Sequence, residues 1–226
     1  MPVPIYSIND LCVSKKDKNL LTIKQFDIHR GACYVFEGRM GAGKTTFLEV
    51  LYLRKKPNRG TISFEENNIY SYSHNDYQDQ IAIVPQSFEV PWGSVKKYMI
   101  KTISKFSYIK KAEKKMNEIC NKMNIDNLLE RPMKTLTPGE LRWILLATMI
   151  AADSKVLFID EIELHLGKKD ISNLLSILHK KIKYDGVTLI TSTQNRELIK
   201  RIASVTITLD KGRIISVRSS SKKKGR

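Results

Sequence analysis

Gly38-Arg39-Met40-Gly41-Ala42-Gly43-Lys44-Thr45 fills every position of the pattern G-x-x-x-x-G-K-[ST]. Before it stands Cys33-Tyr34-Val35-Phe36, an apolar run suited to a strand buried on both faces. After it a helix is expected, and the strand–loop–helix setting is what gives the pattern its meaning. Glycines let successive backbone N–H groups turn inward around a phosphate, and the helix N-terminus adds its positive end. Lys44 supplies a point charge for β- and γ-phosphates, and the Thr45 hydroxyl suits Mg²⁺. Residues 38–46, from Gly38 to Thr46, are therefore the candidate nucleotide cradle.

Working outward, Val156 to Ile159 is a second buried strand, and it ends in Asp160-Glu161. Carboxylates at the carboxyl end of a parallel strand lie where open sheets bind ligands. Asp160 is suited to hold Mg²⁺ through water, and Glu161 to polarise an attacking water as general base. Val187 to Thr191 reads as another strand after a helix whose apolar face is Ile171, Leu174, Leu175, Leu178 and Ile182, with Asp170 expected as its cap. Alternating β and α elements imply a mainly parallel sheet with right-handed crossovers. The first thirty residues read as strands, and Asp210-Lys211-Gly212 between two β-rich runs reads as a hairpin turn. From about residue 94 to 135 lysines are dense, and Met116, Ile119, Cys120 and Met123 form one helical stripe, read as a packing face. Thr137-Pro138-Gly139-Glu140 is a capping box with proline at N1.

Composition narrows the function. The 226 residues carry a net charge of +16, which favours polyanionic neighbours such as phosphates, nucleic acid or an anionic membrane face. No apolar run approaches the ~18–20 residues that span a bilayer. Met1-Pro2-Val3-Pro4 lacks the basic and apolar regions of a secretory signal, so none is expected. Cys12, Cys33 and Cys120 are scattered and odd in number, which fits a reducing compartment and neither a disulfide framework nor a metal cluster. His29, His74, His165 and His179 show no metal spacing. Residues 219–226, basic and without an acid, are expected to be a disordered tail.

Taken together these motifs resemble, in order, those of the nucleotide-binding domain of ATP-binding-cassette (ABC) ATPases, over about residues 5–217. Val84-Pro85-Gln86 resembles the family's Q-loop, Leu136-Thr137-Pro138-Gly139-Glu140 stands at its LSGGQ signature, and Leu164-His165-Leu166-Gly167 at its D-loop. The resemblance implies an α/β fold: a P-loop NTPase core with a mainly parallel sheet, an N-terminal antiparallel β-subdomain, and an inserted helical subdomain at about 94–135, all within an ABC domain of residues 1–218. It implies ATP and Mg²⁺ as cofactors, with Thr45, Gln86 and Asp160 at the metal and Glu161, Gln86 and Thr193 catalytic. It also implies a homodimer or heterodimer of two such ATPases, in which Thr137 and Gly139 of one subunit face ATP held by the other.

Three departures stand out. Pro138 removes one N–H from the signature. The place of the adenine-stacking aromatic falls near Ser14-Lys15, where Tyr6 is the closest aromatic, so either base discrimination is weak or another side chain covers the ring. Thr193 stands in place of the switch histidine, and hydrolysis is expected to be slow or completed by the partner subunit. The implied function is an ATP-hydrolysing subunit on the inner, cytoplasmic face of the cell membrane, driving a separate transmembrane permease-type chain. An anionic membrane surface is a further contact suited to the charge. Phe88 and Trp92, just after Gln86, are either a hydrophobic contact for that partner or simple packing. Two alternatives are a degenerate regulatory subunit that binds ATP, and a soluble ABC protein acting on nucleic acid or ribosomes. The short distance from phosphate loop to acidic strand and the single cassette argue against nucleic acid.

Overall fold

A strand buried on both faces needs a neighbour on each side and a covering layer above and below, and Cys33–Glu37 has all four. The computed structural model describes residues 3–16 and 18–220. The chain opens with β1 (Tyr6–Lys15), β2 (Lys18–Ile28) and β3 (Cys33–Glu37), then α1 (Lys44–Leu51). Next come β4 (Arg59–Phe64), β5 (Asn67–Asn68), α2 (His74–Gln78) and β6 (Ile81–Val84). A helical stretch holds α3 (Val95–Ile103), α4 (Ala112–Met123) and α5 (Pro138–Ala151). The chain then alternates through β7 (Val156–Ile159), α6 (Lys168–Tyr184), β8 (Thr188–Thr193), α7 (Arg196–Ile199), β9 (Val205–Asp210) and β10 (Arg213–Ser219).

The strands form a six-stranded sheet in the order β10-β9-β3-β8-β7-β6 and a four-stranded sheet in the order β2-β1-β4-β5. In the larger sheet β9, β3, β8, β7 and β6 run parallel, and only the edge strand β10 is antiparallel. The smaller sheet is antiparallel throughout. This is the α/β architecture expected from the sequence.

Period-two alternation divides the parallel strands between two apolar layers. Tyr34, Phe36, Val156, Phe158 and Ile190 face a core shared with α1 and the antiparallel sheet. Cys33, Val35, Leu157, Ile159 and Leu189 face a core shared with α3, α4, α5 and α6. The stripe Met116, Ile119, Cys120 and Met123 is buried in this second core, a packing face as its spacing implies.

Local signals explain some element ends. The Thr137 hydroxyl accepts from the Glu140 N–H at 3.3 Å, and the Glu140 carboxylate accepts from the Thr137 N–H at 2.8 Å, closing the capping box. Lys211 and Gly212 both take positive φ, 45° and 76°, as a two-residue hairpin turn demands. Two expectations are corrected. Helix α6 is capped by Gly167 and starts at Lys168, so Asp170 lies inside the first turn, where its charge still suits the helix N-terminus. The tail does not begin at Ser219, which pairs with Val205, and the Ser220 N–H donates to Ser204 O at 2.8 Å. The rest of the expected tail, residues 221–226, lies outside the described residues.

Phe158 is fully buried, with its ring 6.3 Å from that of Tyr6 and 5.6 Å from that of Tyr52. Phe158→Ala is expected to cost about 3–5 kcal/mol. The check is a lowered urea midpoint at unchanged denaturant slope.

Candidate functional site

The loop after β3 is built by its glycines. Gly38, Gly41 and Gly43 take φ of 148°, 78° and 104°, a region side chains rarely adopt. A Cβ on Gly38 would lie 2.3 Å from the Leu209 carbonyl oxygen, so the loop folds only by passing directly over β9. The β9–β10 turn holds it from the side: the Gly212 N–H donates to Ala42 O at 2.9 Å. Helix α1 has Gly43 as its N-cap with no side-chain cap bond, which leaves first-turn amides for an anion. Lys44 is 6% exposed and donates to Gly38 O at 2.7 Å and Arg39 O at 3.1 Å, folded back along the loop it would share with a phosphate. Met40 projects outward, 89% exposed.

Two strands over, Asp160 follows β7 and is 1% exposed. One carboxylate oxygen accepts the Ser192 hydroxyl at 2.5 Å, and the other is buried without a partner. An orphaned buried carboxylate oxygen beside a phosphate loop fits a hard cation that keeps most of its waters. Glu161 sits at the centre of an amide clamp: Gln86 Nε2 donates to one oxygen at 3.1 Å and Gln194 Nε2 to the other at 2.7 Å. Its own N–H donates to the Ser192 hydroxyl at 2.7 Å. Gln86, Asp160 and Glu161, taken from separate motifs, are thus brought to one place.

Thr193 is not at that place. It is fully buried, its hydroxyl donates to Glu163 Oε1 at 2.9 Å, and the same oxygen accepts the Gln194 N–H at 2.7 Å. Glu163 takes the Thr193 hydroxyl, and the side chain of the next residue, Gln194, reaches Glu161. Gln194, not Thr193, is therefore the residue of this segment that reaches Glu161. Sequence reasoning also missed Ser192. The available signal was register: Ile159 lies opposite Thr191, so the next residues along, Asp160 and Ser192, must also meet.

Thr137 and Gly139 stand apart from the loop. Among the described residues their hydrogen bonds and close approaches are to Glu140, Leu141 and His165, with none to residues 38–46. A Cβ on Gly139 would lie 3.1 Å from His165 O, so the signature packs against the 164–167 segment. Glu140 is held below the usual carboxylate range chiefly by the Thr137 N–H, with help from Arg131 at 2.7 Å. Tyr6 is fully buried, and its hydroxyl is 2.8 Å from that of Tyr77, so it does not reach a nucleotide base. Phe88 packs against Tyr98, whereas Trp92 is 84% exposed with the Lys134 ammonium over its ring.

The family model described as ABC transporter matches residues 21–163. The chain belongs to the ABC transporter family. Methionine import ATP-binding protein MetN of Streptococcus agalactiae is 24% identical over 94% of this chain. MetN 1 of Enterococcus faecalis is 23% identical over 83% of it. The chain spans 63% of the length of the first of these relatives and 54% of the second. Among solved structures, CbiO1 from Clostridium perfringens, part of the ABC transporter complex CbiONQ, superposes with a TM-score of 0.81 at 22% identity, over 96% of this chain and 88% of that one. The dimeric bacterial ABC transporter cassette MJ0796 superposes with a TM-score of 0.86 at 17% identity, over 95% and 98%. The fold is that of an ABC ATP-binding cassette.

The loop geometry gives a graded test. Gly38→Ala drives a Cβ into the Leu209 carbonyl, whereas a Cβ on Gly41 meets nothing within 4 Å. Gly41→Ala is expected to lose about 1–2 kcal/mol through its left-handed backbone alone. Gly38→Ala should lose clearly more, seen as the larger fall in melting temperature.

Proposed function

We propose that this chain binds Mg·ATP on residues 38–46, dimerises around it, hydrolyses it and thereby drives a separate transmembrane chain at the inner face of the cell membrane. The clamp on Glu161 carries this reading. A carboxylate whose two oxygens are both held by amide donors, beside an orphaned Asp160 oxygen, is oriented and ready to polarise water. Lys44 neutralises phosphate charge, and the α1 amides bind the β-phosphate. Thr45, Asp160 and Gln86 would hold Mg²⁺, which when bound neutralises charge developing on the phosphates. Thr137 and Gly139, remote from the loop of their own chain, are suited to close over the nucleotide of a second copy or a paralogue.

A separate membrane partner is supported by two observations. Among the described residues no helix is long and apolar enough to cross a membrane. The relatives are an import ATP-binding protein and a part of an ABC transporter complex. The exposed Trp92, close after Gln86 in the chain, suits that contact.

A regulatory ATP-binding role is the second reading, favoured by Gln194. An amide can donate to a γ-phosphate but carries no charge.

Lys44→Ala is expected to abolish measurable ATP binding while the fold persists, read by fluorescent-nucleotide titration and circular dichroism. Glu161→Gln should leave ATP bound and lower turnover by the ~10²–10⁴-fold typical of general-base loss. A parent without Mg²⁺-dependent turnover, alone or with its membrane partner, would establish the regulatory role. Gln194→His then tests the switch position: turnover should rise if the missing imidazole limits it.

A further inference from the structure

One turn into α5 a charged side chain is buried in the helix's apolar stretch. Arg142 is 3% exposed. Its Nη1 donates to Pro85 O at 2.6 Å, and its Nη2 to Asp160 O at 2.6 Å and Glu161 O at 3.0 Å. Its Nε has no partner. Burial pulls the guanidinium down to about 10, against the opposing field of Asp160, Glu161 and Glu163. It therefore remains a cation at neutral pH.

Burying a cation is costly, and apolar residues of similar volume often stabilise as well or better. A role in packing alone does not call for a guanidinium here. The three carbonyls it binds share something else: they belong to Glu161, to the residue before it, and to the residue before Gln86. Glu161 also has a left-handed backbone, with φ of 49°. That conformation is strained for a side chain and persists only where its surroundings over-determine it. The Ser192 hydroxyl accepts from its N–H, while Arg142 and the Leu164 N–H at 2.9 Å both donate to its carbonyl. Only a planar fork reaches two strand ends at once; a lysine is a point charge on a flexible stem.

We propose that Arg142 is a positioning residue for hydrolysis. It ties the helix that begins with the signature to the backbone of Glu161 and to the entry of the Gln86 loop, so that movement of the signature is felt directly by the water-polarising carboxylate. This rests on the hydrolytic reading above.

The test uses the full chain, with its membrane partner where turnover requires it. Arg142→Lys keeps the charge and loses the fork; Arg142→Gln keeps neutral donors and loses the charge. Turnover should fall by about 10²-fold, the scale of a small misplacement of a reacting group. ATP affinity, measured with a fluorescent nucleotide, and KM should stay within about threefold, because the interaction is absent from ground-state binding. In a Glu161→Gln background, adding Arg142→Lys should change residual single-turnover rates by less than about twofold, since both act through one carboxylate. If Arg142→Gln does not fold, Arg142→Lys carries the test. A folded Arg142→Lys with the parent's kcat overturns the proposal. So do kcat and ATP affinity falling together, or losses that multiply in the double variant. A parent that binds Mg·ATP without turnover overturns the hydrolytic reading and this proposal with it.

Discussion

Parallel pairing across β8 is the constraint on which the site depends. Glu37 lies opposite Thr193, and Ile159 lies opposite Thr191. Strands β3 and β7 therefore flank β8, and all three release their chains at the same rim. The phosphate loop leaves from one, Asp160 and Glu161 from the second, and Ser192 to Gln194 from the third. Slipping β7 against β8 by one residue would exchange its two faces and part Ser192 from Asp160. The buried runs Cys33–Phe36 and Val156–Ile159 thus serve function by fixing register as well as by filling the core.

The two apolar layers supply the mass of the fold, but polar contacts join the catalytic rim to the helical stretch. Helix α5 is pinned at both ends. At its start Arg131 and the capping box hold Glu140. Just past its end Asp153 takes a φ of 51° and accepts from Lys115 of α4 and Lys181 of α6. Burial disfavours the Asp153 carboxylate, yet the two lysines outweigh it and hold the group below its usual range. A helix fixed in this way moves as one piece. Arg142, lying between the two anchors, is the point at which that piece meets the Glu161 backbone.

The parts of this site that were legible in the sequence are those whose chemistry is local. Glycines at fixed offsets, an apolar strand ending in acids, a capping box and a Lys-Gly turn each act within a few residues. The unread parts depend on what lies across the sheet. Whether Thr193 or Gln194 faces Glu161 is a one-residue question at a strand end. It is answered by Glu163, which takes the Thr193 hydroxyl. Arg142 gave no signal in the sequence because its partners are backbone carbonyls that carry no residue signature. Asp170 had a cap's identity but lies inside a helix that Gly167 begins. The short elements β5 and α2 were too brief to show a period.

Pro138 shows how one residue is neutral in a single chain and consequential in a pair. At N1 of α5 a proline gives up an N–H that no intrahelical acceptor would have used, and its fixed φ suits the first turn. Gly139 beside it is needed for the approach to His165, irrespective of any nucleotide. The chain alone therefore has reasons to keep both residues. The missing N–H matters only to a ligand presented from outside, where one fewer donor reaches a phosphate. In the proposed dimer the altered signature would thus spare the fold and weaken only contact with nucleotide held by the other subunit. On that proposal the burden of sensing closure falls on the Thr137 hydroxyl, the Gly139 N–H and the path from α5 through Arg142 to Glu161.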